Sequence, residues 1–227
     1  MRKFSQLLTI IVTVLAVGYW LSTARAQSPT QVIITWQAIN FYPADYKGKA
    51  AVTPRTPVAV AAEVLKNGKL LDLKKSNFTW LLDEKLLGRG EGLKETSFTA
   101  KKPAGDSHLL RLTVKFENES FEKAVRIPVE RPRVVVKTGL AKNTVEPGGK
   151  INLVAIPYFF NVSSLDGLNF SWEINDEKIV GPSSNQLTLN VGSPQSESQK
   201  SIRITSLIQN RTNILESASE TVQIKMP

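Results

Sequence analysis

Along most of this 227-residue chain, apolar and polar side chains alternate with a period of two. Phe170, Trp172 and Ile174 share one face of such a run, while Ser171, Glu173 and Asn175 share the other. Leu110, Leu112, Val114 and Phe116 stand opposite Arg111, Thr113 and Lys115 in the same way. Further apolar rows run through Val58, Val60, Ala62 and Val64, through Val125, Ile127 and Val129, and through Val222 and Ile224. Successive strand side chains point to opposite faces, so this period predicts half-buried β-strands. Turn signals punctuate the rows at Asn67-Gly68, Gly88-Arg89-Gly90, Pro103-Ala104-Gly105, Pro147-Gly148-Gly149, Asp166-Gly167 and Gly181-Pro182. Leu81 to Leu87, the one stretch with a faint helical look, reads as a strand end followed by a turn. Short strands so closely interrupted predict packed antiparallel sheets rather than parallel βα units.

The pattern occurs twice. Asn77-Phe78-Thr79-Trp80 returns as Asn169-Phe170-Ser171-Trp172, and Asp-Glu-Lys follows each copy, at 83–85 and 176–178. Val52-Thr53-Pro54 answers Val145-Glu146-Pro147, and Leu110-Arg111-Leu112-Thr113 answers Ile202-Arg203-Ile204-Thr205. The offsets are 92 or 93 residues, the size of one small β-sandwich. Between Ala38 and Thr53 the first copy carries nine residues that the second lacks. Pro132, which cannot donate to a ladder, marks the junction between modules expected at 27–131 and 132–227. So short a junction predicts a semi-rigid rod.

A tryptophan on the third strand, flanked by alternating apolar residues, makes each module resemble the immunoglobulin-like sandwich, and Trp80 and Trp172 are then its core residues. The family's cysteine pair is missing, so the resemblance is to the disulfide-free bacterial and PKD-like branches. The glycine-bearing run that follows the tryptophan in the PKD type is replaced by Leu81-Leu82-Asp83-Glu84-Lys85 and by Glu173-Ile174-Asn175-Asp176-Glu177-Lys178. The resemblance implies an all-β chain of two tandem antiparallel sandwiches and carries no particular activity.

Residues 1–26 change the picture of where the chain works. Arg2 and Lys3 precede an unbroken apolar run from Leu7 to Leu21, and Ala24-Arg25-Ala26 supplies an A-x-A cleavage signal before Gln27. A fifteen-residue helix reaches about 22 Å, less than the ~30 Å hydrocarbon core, so a cleaved signal peptide is expected. Membrane contact would then come only through an uncleaved signal. The chain contains no cysteine, so exported modules of this kind rest on their apolar cores alone. Export with neither disulfides nor a lipid-modified cysteine suits a bacterial envelope: periplasm, cell surface or medium.

The formal charge of +9 falls when Arg2, Lys3 and Arg25 leave with the signal, to 26 basic against 20 acidic residues. Residues 27–131 hold 17 basic and 12 acidic side chains, and residues 132–227 hold 9 and 8. The more basic first module could favour an anionic surface such as cell-wall polymer or lipid headgroups, but the lysines are scattered, as on an ordinary soluble surface, without the basic, aromatic-interleaved groove that nucleic acid requires.

Candidate chemistry is sparse. The single histidine, His108, sits at the start of a strand and reads as a surface residue. There is no Gly-x-Ser-x-Gly, His-Glu-x-x-His or phosphate loop. No Asp-x-Asp occurs for calcium, and zinc has neither cysteines nor several histidines to bind. No catalytic residue, metal ligand or cofactor is therefore assigned. Asn-x-Ser/Thr triplets occur at Asn77, Asn118, Asn161, Asn169 and Asn210. The remaining candidates are aromatic. Phe41, Tyr42 and Tyr46 lie in the nine-residue insertion, and Tyr158, Phe159 and Phe160 in a connection of the second module. They are either anchors for a partner or local core folded over the sandwich ends. The expected function is a non-enzymatic structural or protein-interaction component of the envelope or a surface assembly. The alternative is an adhesive module for cell-wall or surface polysaccharide.

Overall fold

The computed structural model describes residues 30–179, 184–194 and 200–227; the expected signal peptide and the Gly181-Pro182 turn lie outside them. In the first module the strands are β1 (Gln31–Ala38), β2 (Pro57–Lys66), β3 (Lys69–Leu70), β4 (Asn77–Leu82), β5 (Lys85–Glu91), β6 (Glu95–Thr99), β7 (Ser107–Phe116) and β8 (Glu119–Pro128). The second holds β9 (Arg133–Lys137), β10 (Lys150–Tyr158), β11 (Leu168–Ile174), β12 (Glu177–Lys178), β13 (Gln186–Asn190), β14 (Ser201–Asn210) and β15 (Asn213–Lys225). The chain is all-β, and among the described residues no helix is long and apolar enough to cross a membrane.

Each module is an immunoglobulin-like sandwich. In the first, a sheet with β2 between β1 and β6 faces a sheet ordered β5-β4-β7-β8; in the second, β13-β10-β9 faces β12-β11-β14-β15. The inward rows of alternate residues fill the space between the sheets. One apolar cluster draws on buried residues from Val32 to Val129, and the other on residues from Val134 to Met226. In both modules the chain leaves its first strand, crosses over and pairs in parallel with the last strand, through Val52 with Val129 and Thr144 with Lys225. The nine-residue insertion occupies this crossover in the first module.

Trp80 and Trp172 are equivalent at the centre of β4 and β11, 0% and 3% exposed. Each indole N–H donates to a backbone carbonyl, of Leu93 at 2.9 Å and of Ser184 at 3.0 Å. A large ring is thereby buried without leaving its polar atom unpaired.

Three local expectations change. Gly88 and Gly90 are not in a turn but inside β5. A Cβ on Gly88 would lie 3.2 Å from the Leu93 side chain, and one on Gly90 3.8 Å from it, so the glycines leave room for Leu93 over the strand. The true tight turn is Asp83-Glu84, with φ of 49° and 65°. Its counterpart is Asn175-Asp176, with φ of 50° and 70°, so Asp83 corresponds to Asn175 and the two Asp-Glu-Lys triplets are one residue out of step. The third change is in β7 and β14. Leu82 pairs with Leu110 and Ile174 with Ile204, which makes Leu110 the counterpart of Ile204, two residues beyond the sequence match. Shifting by two preserves the buried face.

Candidate interaction site at the module junction

The insertion is built around rings. A turn closes from the Tyr46 N–H to the Pro43 carbonyl at 3.0 Å, and the Asn40 amide ties the loop to the Ala51 carbonyl at 2.8 Å. Tyr46 lies against Gly48, where a Cβ would overlap its ring. Its hydroxyl donates to the Lys49 carbonyl at 3.2 Å. The Lys49 ammonium stands 3.3 Å from the centroid of the Trp36 ring, and burial lowers its pKa.

All six sequence-predicted aromatics meet at the junction. Tyr46 makes edge-to-face contacts with Tyr42, Tyr158 and Phe159 at centroid separations of 5.8, 5.6 and 5.5 Å. The Phe41 N–H donates to the Phe160 carbonyl at 2.7 Å, and the Phe159 N–H to the Phe41 carbonyl at 2.6 Å. Phe159 is buried in the core of the first module although it belongs to the second, while Phe160 is buried in the second. Of the two roles open to these residues, the structure gives Phe159 and Phe160 that of core. Phe41, Tyr42, Tyr46 and Tyr158 are half-buried between the modules.

A polar lock stands beside the rings. Asn161 directs its side-chain N–H groups to the Pro54 carbonyl at 2.9 Å, to Thr53 Oγ1 at 3.3 Å and to Glu216 Oε1 at 2.7 Å. Its Oδ1 accepts from the Thr56 hydroxyl at 2.7 Å, and its backbone N–H donates to Glu216 Oε1 at 2.8 Å. The Asn210 amide donates to Glu216 Oε2 at 2.5 Å, and the Thr53 hydroxyl to the Phe159 carbonyl at 3.1 Å. Glu216 is 6% exposed, so its carboxylate is desolvated and held by N–H dipoles. A bulge delivers it: β15 pairs with β14 at Ser217 and again at Asn213, and residues 214–216 are left over. That bulge turns Glu216 inward and leaves Ile214 and Leu215 outward, 71% and 85% exposed. Sequence reasoning missed this cluster. In the sequence Asn161 and Asn210 stand out only as glycosylation triplets and Glu216 lies in a polar run; the inverted alternation at Ile214-Leu215-Glu216 is the available signal.

His108 is likewise not at the surface. It is 2% exposed, with Phe98 edge-on at 5.4 Å. Its Nδ1 lies 2.6 Å from Asp83 Oδ2, and its Nε2 accepts the Lys101 N–H at 3.2 Å, which assigns the proton to Nδ1. Burial works to raise the pKa of Asp83. The Leu109 N–H at 2.9 Å, His108, and the Lys102 ammonium at 3.0 Å outweigh it and bring the carboxyl down to about 2. The group's side chains pair with one another and with the backbone at Lys101, Ser107 and Leu109, which makes it a brace for the β4–β5 turn.

No family model matches this chain, and no curated protein matches it. Solved structures similar to it include three N-terminal domains of the bacteriophage RB49 Highly Immunogenic Outer Capsid protein, at 13% identity and a TM-score of 0.45 over 87% of this chain. The fibronectin(III)-like modules of Clostridium thermocellum CbhA are similar at 12% identity and a TM-score of 0.29, over 86% of this chain and 94% of theirs. Bacteroides ovatus SGBP-B in complex with a mixed-linkage heptasaccharide is similar at 15% identity and a TM-score of 0.27. The chain spans 59% of the length of the capsid protein fragment and 47% of SGBP-B. At these identities and TM-scores no ligand, partner or activity transfers to this chain.

Proposed function

We propose that the chain is a non-enzymatic, exported component of a bacterial envelope or surface assembly, and that it presents two β-sandwiches to a protein partner in one fixed arrangement. The observation that carries this reading is the junction. The insertion, the Phe159 ring in the first module's core and the hydrogen bonds of Asn161 to Thr53, Pro54 and Thr56 join the modules, which is more than a linker needs if the modules act separately. Export rests on the N-terminal segment, and the choice of a bacterial envelope on that segment together with a cysteine-free chain.

The same geometry favours a protein partner over a polysaccharide. Sugar rings stack on open aromatic faces, whereas Tyr46 is ringed by three neighbours and Phe159 and Phe160 are buried. Crosslinking of the native protein in its own cells, with mass spectrometry of captured partners and of its N-terminus, tests the reading. Reproducible envelope-protein partners and an N-terminus at Gln27 are expected. Retention on wall or surface polysaccharide with no protein captured would overturn it.

A further inference from the structure

On one flank of the junction lies a crevice of about 420 Å³ walled by both modules. Pro54, Arg55 and Arg131 contribute one side, and Pro132, Asn213, Leu215 and Glu216 the other. The Glu216 carboxylate is already held by Asn161 and Asn210, which leaves the two arginines as the uncommitted charges of the wall. Two features of the wall bear on what it can hold. Neither the Arg55 nor the Arg131 side chain has a hydrogen-bond or ion-pair partner among the described residues, although both are in reach of the same cleft. The other wall carries Leu215, 85% exposed, beside Ile214, 71% exposed.

Arg55 is also held where an arginine is out of place. It is the second central residue of the turn closed by the Thr56 N–H on the Thr53 carbonyl, with Pro54 before it and a φ of 72°. That position in such a turn favours glycine or asparagine. The side chain kept in this left-handed conformation lines the cleft.

We infer that this crevice is a docking site for an acidic, leucine-bearing segment of a partner protein, an inference that rests on the protein-interaction reading above. Charge complementarity chooses the occupant. Two unpaired guanidiniums can each take a carboxylate through paired N–H groups, and they belong to the module that holds 17 basic against 12 acidic residues. Leu215 supplies the apolar contact that a purely ionic site would lack. The cleft wall contains no aromatic ring, which disfavours a sugar. Because the two walls belong to different modules, the segment would recognise the pair as joined and neither module alone.

The test uses the mature chain and three fluorescent peptides: one alternating glutamate with leucine, one with lysine for each glutamate, and one with serine for each leucine. Anisotropy is expected to show binding of the glutamate–leucine peptide, weakened by salt. Arg55→Gly and Arg131→Gln together should weaken it by about tenfold or more, and Leu215→Ser by about fivefold. Arg55→Gly relieves the turn, so its melting temperature should hold or rise while binding falls, which separates docking from stability. Equal binding by the variants, equal binding of the lysine peptide, or no binding would overturn the inference. So would self-association of the chain abolished by Leu215→Ser. Undiminished capture of envelope partners by these variants in cells would remove the crevice and leave the protein-interaction reading standing.

Discussion

The two modules share a frame and differ in what they place along one inward row. In the first, β7 presents His108, Leu110, Leu112 and Val114 to the core; the matching positions of β14 are Ile202, Ile204, Ser206 and Ile208. Trp80 thus faces a leucine and Trp172 a serine whose buried hydroxyl has no partner among the described residues. The next position repeats the contrast, with Phe116 against Asn210, and Asn210 is committed to Glu216 at the junction. Along this row the first module's buried polar residue is His108, at the β4–β5 turn, whereas the second module's Asn210 lies at the opposite end, by the junction. A common sandwich therefore tolerates polar residues at either end of this row, provided a specific set of donors and acceptors meets them.

The largest test of that contrast moves the serine across. Leu112→Ser should cost the first module roughly 3 kcal/mol through lost apolar burial and a buried hydroxyl, read as a lowered midpoint in urea unfolding. A loss below about 1 kcal/mol would mean that the tryptophan's partner does not matter, and the comparison would break. Asn161→Ala comes next, at roughly 2 kcal/mol, because Glu216, Thr56 and the Pro54 carbonyl all lose a partner. It should also divide one unfolding transition into two, as the modules cease to melt together.

Asp83 and Asn175 sharpen the comparison through pH. Both accept a backbone N–H across the turn, from Leu109 and Arg203 at 2.9 Å each, but only Asp83 titrates. Its carboxyl is depressed from 3.8 to about 2, so its contribution is complete above the ordinary value and is lost as pH falls through it toward about 2. The first module should lose stability in acid through this group, and Asp83→Asn should remove that share of the pH dependence. The variant should also cost about 1–2 kcal/mol at neutral pH, measured by urea unfolding. Smallest is Ser206→Ala, expected to stabilise the second module by up to about 1 kcal/mol by removing an unpaired hydroxyl.

Periodicity alone encodes much of this architecture. The rows through Val58–Val64, Leu110–Phe116 and Phe170–Ile174 lie in β2, β7 and β11. The same periodicity concealed the register, because a shift of two leaves every inward residue inward, and the Leu-Arg-Leu-Thr and Ile-Arg-Ile-Thr match gave no sign of it. Gly88 and Gly90 misled because their purpose is a contact with Leu93, not a backbone reversal. His108 looked exposed because the atoms that satisfy it come from Asp83 and from the backbone at Lys101, distant or silent in a linear reading. The six aromatics were identified as a group, but their meeting place depends on a contact between residues more than a hundred positions apart. No local pattern encodes that.

Two of the five Asn-x-Ser/Thr triplets have their amide nitrogens inside the junction, at Asn161 and Asn210. Production in a glycosylating host would therefore set folding against sugar transfer at these two sites. A glycan attached to Asn161 before the modules close would occupy the space of Thr53, Pro54 and Glu216, and the product would be a pair of folded sandwiches that never dock. A host without that machinery escapes the competition, so the expression host decides whether the junction forms.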